Sequence, residues 1–356
     1  MTIIIIITLI LIILNLSIFI FNKSRLSDSI DKKFNKFTII IASKNEGLNI
    51  KNLIESLKKI NYPKEDFEVI FVDDNSKDDT KLIILNQIKN ISNMFYLLAK
   101  AKNYNGKKGA IDAGINASKF DNIVITDSDC IVNPNWLIEI NKQINSKAEF
   151  IIGISPFIQN NNIINKVACF ENLRTIILTI VSVNLKLPYT AVARNLCFKK
   201  SFYEKINGFS KLQDTLSGDD DLLLREAINN KANIQIMQAN DSYVYSTTKS
   251  TYAAFINQKF RHTSTSYHYS VRQSIFPAIW HLINLIIFLT PTLSFINLYY
   301  LIPFFVKILF DIFVILLKQK TFNYKFGIFE IIYLQFLYEL LIVFKFPFSY
   351  FYKKRW

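Results

Sequence analysis

Long apolar runs lie at both ends of the 356-residue chain, and they restrict its fold more than any other feature. Residues 3–21 are apolar except for Thr8, Asn15 and Ser17. A helix needs about 20 apolar residues to cross the hydrocarbon core of a bilayer. We therefore expect an N-terminal transmembrane anchor over residues 1–22. A C-terminal membrane region with about three helices is expected over residues 273–356, from apolar runs at 275–298, 301–317 and 326–346.

The basic residues around these runs predict how the chain is oriented. A cleaved signal peptide is the alternative interpretation of the first run, but no basic residue precedes it and no A-x-A-like site follows it. Basic residues come after the first run and again between the last two: Lys23, Arg25, Lys32, Lys318, Lys320 and Lys325. Because cytoplasmic loops carry an excess of lysine and arginine, we expect residues 23–272 to form the cytoplasmic domain of an integral protein of a bacterial inner or plasma membrane.

The last apolar runs leave two questions open. Three crossings from the cytoplasm would put Lys353, Lys354 and Arg355 outside, against the charge rule. Either the last segment lies in the interface or one span is re-entrant. Lys307 and Asp311 are four residues apart on one helical face. They either pair inside the membrane or both lie near a wet interface.

The net charge of +14 does not by itself indicate a nucleic-acid partner. The chain has no basic cluster of the kind found in nucleic-acid modules, so we expect membrane lipid and no nucleic acid as its partner. Cys130, Cys169 and Cys197 form no CxxC pair, and the histidines show no zinc spacing. We expect ordinary, partly buried thiols in a reducing compartment.

Strands and helices alternate from about residue 37 onward. Apolar runs rich in β-branched and aromatic residues predict strands over 37–42, 67–72, 94–98 and 122–126. Helical spacing predicts helices between them, over 49–60, 81–89 and 107–117. This order predicts an α/β fold with a mostly parallel sheet and helices on both of its faces.

The predicted strands end on polar and acidic residues. Asp127 and Asp129 follow an apolar run, and alternation puts their side chains on one side, roughly 6–7 Å apart. Two such carboxylates suit a divalent cation, although a solvated Asp-Ser-Asp turn is the alternative. Asn45 and Glu46 follow the first strand, and Asp73 follows the second together with Asp74. Ligands bind at this edge of parallel sheets, so we predict a site for a metal and a phosphate.

Three further segments carry candidate residues. Lys107 stands between two glycines at a predicted helix start, where a diphosphate would be favoured. Residues 218–221 read GDDD before an amphipathic helix. One of these aspartates could accept a proton from a hydroxyl, although acids in a first helical turn also interact favourably with the helix dipole. Gln258 and Arg261 lie on one helical face, where the arginine could hold either lipid phosphate or a departing diphosphate.

Taken together, these segments resemble a membrane-bound family 2 glycosyltransferase with a GT-A catalytic domain, a group that includes cellulose, chitin and hyaluronan synthases and ceramide glucosyltransferase. The resemblance covers roughly residues 36–270 and rests on the order and spacing of several modest motifs. These are IASKNE (41–46), VDDNSKDDT (72–80), GKKGAIDAG (106–114), DSDCIVNPNW (127–136), RNLCFKKSFY (194–203), SGDDDLLL (217–224) and QKFRH (258–262).

The resemblance implies a role for each matching residue. The nucleotide pocket would be lined by Ala42, Asn45, Glu46, Asp73 and Asp74, and Lys107 would approach the diphosphate. Asp127 and Asp129 would form the DxD motif and hold the donor with Mn²⁺ or Mg²⁺. Asp220 would be the base, with Asp221 as the alternative and Asp219 as the third member of the acidic triplet. Gln258 and Arg261 would close over the diphosphate, and His262 replaces a tryptophan that contributes to the acceptor site in relatives.

The implied reaction is inverting transfer of a sugar from a nucleotide sugar, with a UDP-sugar as the expected donor, to a membrane-proximal or lipid-linked acceptor. Asp220 would take the proton of the acceptor hydroxyl in a single displacement. A processive polysaccharide synthase of the same family is the first alternative. A catalytically inactive membrane scaffold is the second, and a nucleotidyltransferase would explain neither QKFRH nor the apolar runs.

Overall fold

The structure, a computed structural model, describes residues 2–21, 33–100, 102–212 and 218–350. Several basic residues that predict the orientation lie outside this part of the chain: Lys23, Arg25, Lys32, Lys353, Lys354 and Arg355. Leu216 and Ser217, next to the acidic triplet, also lie outside it.

Helices and strands alternate through the central part of the chain. The helices of the described residues are α1 (Thr2–Phe21), α2 (Ile50–Lys58), α3 (Thr80–Ile88), α4 (Gly106–Ala117), α5 (Trp136–Asn145), α6 (Ile163–Asn184), α7 (Lys200–Lys205), α8 (Asp221–Asn229), α9 (Tyr252–Thr265), α10 (Val271–Leu289), α11 (Leu301–Lys318) and α12 (Ile328–Tyr350). The strands are β1 (Phe37–Ser43), β2 (Phe67–Asp73), β3 (Met94–Leu98), β4 (Asn122–Asp127), β5 (Cys130–Val132), β6 (Phe150–Ile152), β7 (Leu196–Lys199), β8 (Ile234–Ile236) and β9 (Val244–Ser246).

A mostly parallel sheet forms the centre of the molecule, with strand order β3-β2-β1-β4-β7-β6-β8. β1 is parallel to β2 and β4, and β2 is parallel to β3. β7 runs antiparallel to both β4 and β6. The four predicted strands are confirmed and form the parallel half of the sheet. β6, β7 and β8 have only three or four residues each, too few for a sequence pattern to reveal them.

The register brings the carboxyl ends of three strands to one edge. Ser43 of β1 pairs with Asp73 of β2, and Ala42 pairs with Asp127 of β4. The predicted convergence of these strand ends is therefore confirmed. Next to this edge, β5 pairs with β9 in a separate two-stranded sheet, which fixes the chain immediately after Asp129.

Helices cover both faces of the large sheet, as predicted. On one face, α2, α3 and α5 bury Leu53, Ile84 and Trp136 against the strands. On the other face, α4, α6 and α8 bury their apolar residues in a larger core that also includes residues of α11 and α12. The part of the chain from β1 to α9, which the resemblance implies to be catalytic and which we call the catalytic unit, therefore shares one hydrophobic core with the apolar C-terminal helices. The three cysteines are free, as expected, but fully buried.

By length and composition, three helices among the described residues can cross a bilayer: Ile163–Asn184, Val271–Leu293 and Leu298–Phe322. The first was not predicted as a span, and 78% of its apolar segment is buried inside the protein, so α6 is a core helix. Only 22% and 28% of the other two segments are buried. Within α1, the apolar stretch Ile4–Ile13 is shorter than a full span, and α1 packs against α6 and α11.

The last helix, α12, contacts the catalytic unit near its beginning, in its middle and at its end. Near its beginning Glu330 pairs with Lys166 of α6, and Tyr338 in its middle packs on Phe170 of α6. At its end Tyr350 packs edge-on against Tyr267, beyond α9, with ring centroids 5.6 Å apart. A helix held in this way lies along the catalytic unit rather than leading away from it.

Four charged residues form a buried ionic network between α6, α11 and α12. Lys307 is 2.6 Å from Asp311, and Arg174 of α6 is 2.9 Å from the other oxygen of Asp311. Glu339 of α12 lies 3.6 Å from Lys307 and accepts a hydrogen bond from Gln335. We call Arg174, Lys307, Asp311 and Glu339 the sealed cluster. The predicted pairing of Lys307 with Asp311 is confirmed, and the wet-interface interpretation is wrong because both are buried.

Candidate active site

A cavity of about 1120 Å³ opens at the edge where β1, β2 and β4 end. The structure brings nearly all of the predicted site residues to its walls: Ala42, Asn45, Glu46, Asp74, Lys107, Asp127, Asp129, Asp219, Asp220, Asp221, Gln258, Arg261 and His262. These residues come from segments up to 220 positions apart, since Ala42 and His262 share one cavity. Asp73 is the predicted residue that does not line it.

The loops after β1 and β2 are joined by hydrogen bonds, most of them from a turn centred on Asn45. Asn45 has a left-handed backbone with φ of 57°, a conformation that asparagine tolerates better than most residues. Its side-chain oxygen accepts a hydrogen bond from the Lys77 amide, and its own amide donates to Ser76 Oγ. The Glu46 amide donates to Thr80 Oγ1. The side chain of Asn45 therefore shapes the wall rather than projecting a free group from it.

The two aspartates at the end of β2 have different surroundings. The Asp73 carboxylate is buried and accepts hydrogen bonds from the Ser76 amide and from the hydroxyl of Tyr96. It therefore positions the loop. Asp74 faces the cavity, where it pairs with Lys102 and lies 3.6 Å from Lys44. Asp74 is the better placed of the two to contact a ligand.

Lys107 connects two acidic segments that are distant in sequence. Its Nζ lies 2.7 Å from an oxygen of Asp127 and 2.9 Å from an oxygen of Asp219. Gly106, with φ of 63°, precedes it at the start of α4, and Gly218, with φ of 86°, precedes Asp219. Glycine adopts such a backbone at the lowest cost, and at Gly218 a side chain would also collide with Thr265. A glycine therefore turns the chain into the cavity at both places.

The members of the acidic triplet have three different sets of partners. Asp219 pairs with Lys107. Asp220 caps α8 and accepts hydrogen bonds from the amides of Asp221 and Ala193. Asp221 accepts hydrogen bonds at both carboxylate oxygens from neighbours outside α8, namely Thr190 Oγ1, the Ala191 amide and the Tyr269 hydroxyl. Its oxygens are therefore occupied by the surrounding framework.

These contacts separate the acidities of the triplet. Burial favours the neutral form of Asp219, but the positive charge of Lys107 outweighs it and lowers the pKa of Asp219. Burial, followed by the charges of Asp221 and Asp219, raises the pKa of Asp220 to about 8. Burial also raises the pKa of Asp221. Near neutral pH Asp220 can thus both take up and release a proton, as a general base must.

Asp127 and Asp129 suit a divalent cation that a ligand helps to bind. Burial and the adjacent charge of Asp127 raise the pKa of Asp129, so the two carboxylates are close enough to repel each other. A divalent cation would relieve this repulsion, and carboxylate oxygens are the ligands that Mg²⁺ and Mn²⁺ prefer. Among the described residues no group of three or more histidines, cysteines or acids could hold a metal alone. The remaining ligands would therefore have to come from phosphate oxygens and water.

Helix α9 contributes the opposite wall of the cavity. The predicted helix is confirmed, and Gln258, Arg261 and His262 all face the cavity from it. The imidazole of His262 is exposed to the cavity interior. Enclosure by the walls, followed by the charges of Arg261 and Lys259, lowers the pKa of His262, so the ring is neutral at pH 7.

The cavity also contains cationic residues that the motifs did not single out. Arg194 stacks on the ring of Phe157 at 4.4 Å and donates to Ser246 Oγ, and Lys249 follows β9. Both charges act on Asp129. Arg194 opens the quoted segment RNLCFKKSFY, which was the available signal for it. Lys249 lies in a polar loop with no recognisable motif.

Comparison with known proteins assigns this arrangement to a family. A model described as glycosyl transferase family 2 matches residues 38–204, and one described as glycosyl transferase family group 2 matches residues 122–316. The chain belongs to glycosyltransferase family 2. The second match alone covers more than half of the chain and extends from β4 into α11. The predicted family and enzyme class are therefore confirmed.

Individual relatives support the assignment over shorter stretches. The chain is 30% identical over 103 residues to a β-monoglucosyldiacylglycerol synthase of Trichormus variabilis, covering 29% of this chain and 22% of that protein. It is 36% identical over 109 residues to CsbB of Bacillus subtilis, which is named as a glycosyltransferase, covering 29% and 30%. The chain thus spans less than a third of the length of either relative.

A solved structure supports the predicted GT-A class. The mannosyltransferase PcManGT from Pyrobaculum calidifontis, in complex with GDP-Man and Mn²⁺, superposes with a TM-score of 0.57. The match covers 71% of this chain and 68% of that one at 15% sequence identity. At this identity the likeness concerns the fold, which is the α/β arrangement with a mostly parallel sheet described here.

Proposed function

We propose that this glycosyltransferase transfers a sugar from a nucleotide sugar to a membrane-proximal acceptor, with a divalent cation and with inversion at the anomeric carbon. The observation that carries the proposal is the shared cavity. It collects the acidic strand ends, the acidic triplet and the α9 residues around Lys107, which bridges Asp127 and Asp219. Each group needed for donor binding, leaving-group stabilisation and proton removal is present on its walls.

The donor would lie along the edge of the sheet. Ala42, Glu46 and Asp74 line the part of the cavity nearest β1 and β2, where a nucleoside would fit as it does at other parallel-sheet edges. Lys107 would reach the diphosphate from the start of α4, where the helix N-terminus also favours negative charge. Mn²⁺ or Mg²⁺ held by Asp127 and Asp129 would offset the charge of the diphosphate.

Asp220 would act as the general base. Asp221 accepts three hydrogen bonds, from Thr190, Ala191 and Tyr269, and Lys107 holds Asp219 as an anion with a lowered pKa. Among the hydrogen bonds of the described residues, Asp220 accepts only one backbone amide at each carboxylate oxygen, which leaves each oxygen a further lone pair for a hydroxyl proton. Asp220 lines the cavity and has a pKa of about 8. As the acceptor oxygen bonds to the anomeric carbon, the bond from that carbon to the diphosphate breaks and Asp220 takes the proton.

The α9 wall would stabilise the departing diphosphate. Arg261 and Gln258 face the cavity one helical turn apart, and Arg194 is held rigidly between Phe157 and Ser246. Fixed cations around a developing negative charge lower the barrier without reorganisation at the moment of reaction. The neutral imidazole of His262 adds a hydrogen-bonding group without further positive charge.

The proposal places the enzyme in the bacterial inner or plasma membrane. Residues 1–22 would anchor it, residues 23–272 would form the cytoplasmic catalytic domain, and residues 273–356 would form the membrane region. The loop between α11 and α12 fits this topology, because Lys325 and Tyr324 hydrogen-bond to Gln159 and Phe157 of the catalytic unit. Because α12 contacts both α6 and α9, the proposal takes the alternative in which the last apolar run lies in the interface.

A donor panel tests the proposal. Purified protein in detergent would be incubated with Mn²⁺ or Mg²⁺, membrane lipid extract and a series of UDP- and GDP-sugars, with released nucleoside diphosphate as the readout. We expect release from one donor and loss of that release with a chelator or in Asp129→Ala. Glu65→Ala is the matched control, because Glu65 is an exposed acid at the other end of β2. Nuclear magnetic resonance of the product reports the anomeric configuration.

The outcomes separate the alternatives. Donor binding without any turnover or product, whatever the acceptor, would favour the inactive scaffold. Polymeric product from a single purified enzyme would favour the processive synthase. Full activity of Asp129→Ala in the presence of a chelator would remove the metal from the proposal while leaving the family assignment intact.

A further inference from the structure

The cavity extends well beyond the acidic residues. Its volume of about 1120 Å³ exceeds the usual range of small-molecule sites, about 300–1000 Å³. The acids and Lys107 line one part of it. The opposite part is lined by Ser274, Pro277, Ala278 and His281 of α10 and by Ile342 of α12. There is room for a second ligand beside a nucleotide sugar, and that second space is bordered by the apolar helices.

Two adjoining faces of α10 have different surroundings. The cavity-lining residues follow the spacing i, i+3, i+4 and i+7, so they share one face. The neighbouring face carries Ile275, Ile279 and Leu282, whose side chains are 45%, 52% and 58% exposed. Exposed apolar residues on a helix long enough to cross a bilayer indicate contact with lipid. One helix therefore separates the cavity from the hydrocarbon region.

Ala278 lies where these two faces meet. It lines the cavity, and its side chain, a single methyl group, is accessible to solvent. Among the cavity-lining residues of α10, Ala278 is therefore the one nearest the lipid-facing side of the helix. Ile342 lines the same cavity from α12. We call the space between Ala278 and Ile342 the lateral opening, because this is where an apolar chain would enter.

The first turns of α10 are attached directly to the acidic triplet. Gln273 is fully buried, and its side-chain amide donates to the carbonyl oxygens of Asp221 and Tyr189, both at 3.1 Å. Ser274 and Pro277 follow it at once on the cavity side. A molecule entering through the lateral opening would thus meet the acids within about two turns of α10, or roughly 11 Å at 5.4 Å per turn.

We propose that the acceptor is a membrane lipid with a free hydroxyl, whose apolar chain lies in the lateral opening between α10 and α12. Its hydroxyl reaches Asp220, bonds through oxygen to the anomeric carbon and gives its proton to Asp220 as the diphosphate leaves with the bonding electrons. This inference rests on the proposed function and narrows its acceptor from membrane-proximal molecules to lipid alcohols.

The test blocks the opening with a bulky side chain. The wild-type enzyme would be reconstituted in vesicles of total bacterial lipid extract, and a radiolabelled sugar donor would be supplied with Mn²⁺. Label should partition into the organic phase as a glycolipid stable to mild acid. Ala278→Trp and Ile342→Trp should each reduce this transfer at least about tenfold, the order of effect that steric rejection produces in an apolar pocket.

A matched control separates blockage from general damage to α10. Ile279→Trp adds the same indole one residue further along, on the lipid-facing side, and should keep transfer within about twofold because a surface change on this face leaves the cavity intact. Donor affinity should be unchanged in all three variants, which also shows that they are folded. Ala278→Ser should retain transfer because serine is nearly as small as alanine.

Specific results would overturn the proposal. These are label found only in water-soluble saccharide, an acid-labile lipid phosphate product, or undiminished transfer in both Ala278→Trp and Ile342→Trp. An equal loss in Ile279→Trp would also count against it. If the wild type turns over no donor with any acceptor, the proposed function itself fails, and that outcome is distinct from turnover that yields no glycolipid.

Discussion

The molecule buries clustered charge in two places, and the two clusters are built differently. In the sealed cluster, two cations and two carboxylates pair with one another, and each side chain is at most 10% exposed. Along the cavity, five carboxylates lie close together: Asp127, Asp129, Asp219, Asp220 and Asp221. Lys107 forms ion pairs with two of these five, Asp127 and Asp219.

The difference shows which charges stabilise the fold and which are available for a ligand. The sealed cluster is electrically balanced and borders no part of the cavity, so its role is to hold α6, α11 and α12 together. Burial, followed by repulsion from neighbouring aspartates, raises the pKa of Asp129 and Asp220. Perturbed acids in a cavity are typical of functional sites. Here a divalent cation and a proton would supply the positive charge that the protein leaves incomplete.

The strongest test of this comparison replaces the proposed base. Asp220→Asn should lower sugar transfer about 10³-fold, within the range that general acid–base catalysis contributes, while donor binding persists. The measurement is initial transfer rate with donor affinity determined in parallel. Asp219→Asn and Asp221→Asn are the matched controls. If Asp220→Asn kept full activity and one of the controls lost it completely, the aspartate replaced in that control would be the general base.

A substitution in the sealed cluster should lower the stability of the protein and leave the catalytic step unaffected. Asp311→Asn removes the carboxylate that pairs with both Arg174 and Lys307 and leaves two buried cations with Glu339, 3.6 Å from Lys307, as the remaining counter-charge of the cluster. This should cost about 3–5 kcal/mol of unfolding free energy. Thermal unfolding in detergent would measure this. Asp129→Ala is the comparison, and its melting temperature should stay close to that of the wild type. The comparison would be wrong if folded Asp311→Asn lost as much activity as Asp220→Asn. In that case the sealed cluster would also be needed for catalysis.

The pH dependence of activity tests whether a cavity acid with a raised pKa, Asp220, takes part in the reaction. A base must be deprotonated, and the pKa of Asp220 is raised to about 8. The value of kcat/KM should therefore fall about tenfold per pH unit below pH 7 and level off above pH 8. Asp221→Asn removes a charge that raises this pKa. In this variant the fall of kcat/KM should therefore begin at a lower pH. A profile that is flat from pH 6 to 9 would contradict the assignment.

Much of the catalytic unit could be predicted from local sequence. Each strand of the parallel half is an apolar run followed by an acidic or polar residue, and parallel strands place such residues at one edge. Asp127, Asp129 and Asp74 were predicted from this rule and now lie in the cavity. Asp73 obeys the same rule yet turns away from the cavity, because the Ser76 amide and the Tyr96 hydroxyl bind its carboxylate.

Residues whose role depends on distant contacts could not be predicted. Arg174 and Asp311 are 137 residues apart and meet only because α6 packs against α11. Arg194 enters the cavity because Phe157 and Ser246, on two other segments, hold its guanidinium. No pattern along the chain encodes which helices will touch, since periodicity reports only which face of an element is apolar.

By itself, the sequence determined the alternation of strands and helices, the acidic strand ends, the apolar helices at both ends and the family. Each of these features can be recognised from residues that are close together in the sequence, by their periodicity, their spacing or a motif. Only the tertiary structure decided that α12 packs on α6 and near α9, that Lys107 links Asp127 to Asp219, and that Ala278 of α10 lines the same cavity as the acids. These features arise from packing between remote segments, where shape and charge in three dimensions select the contacts.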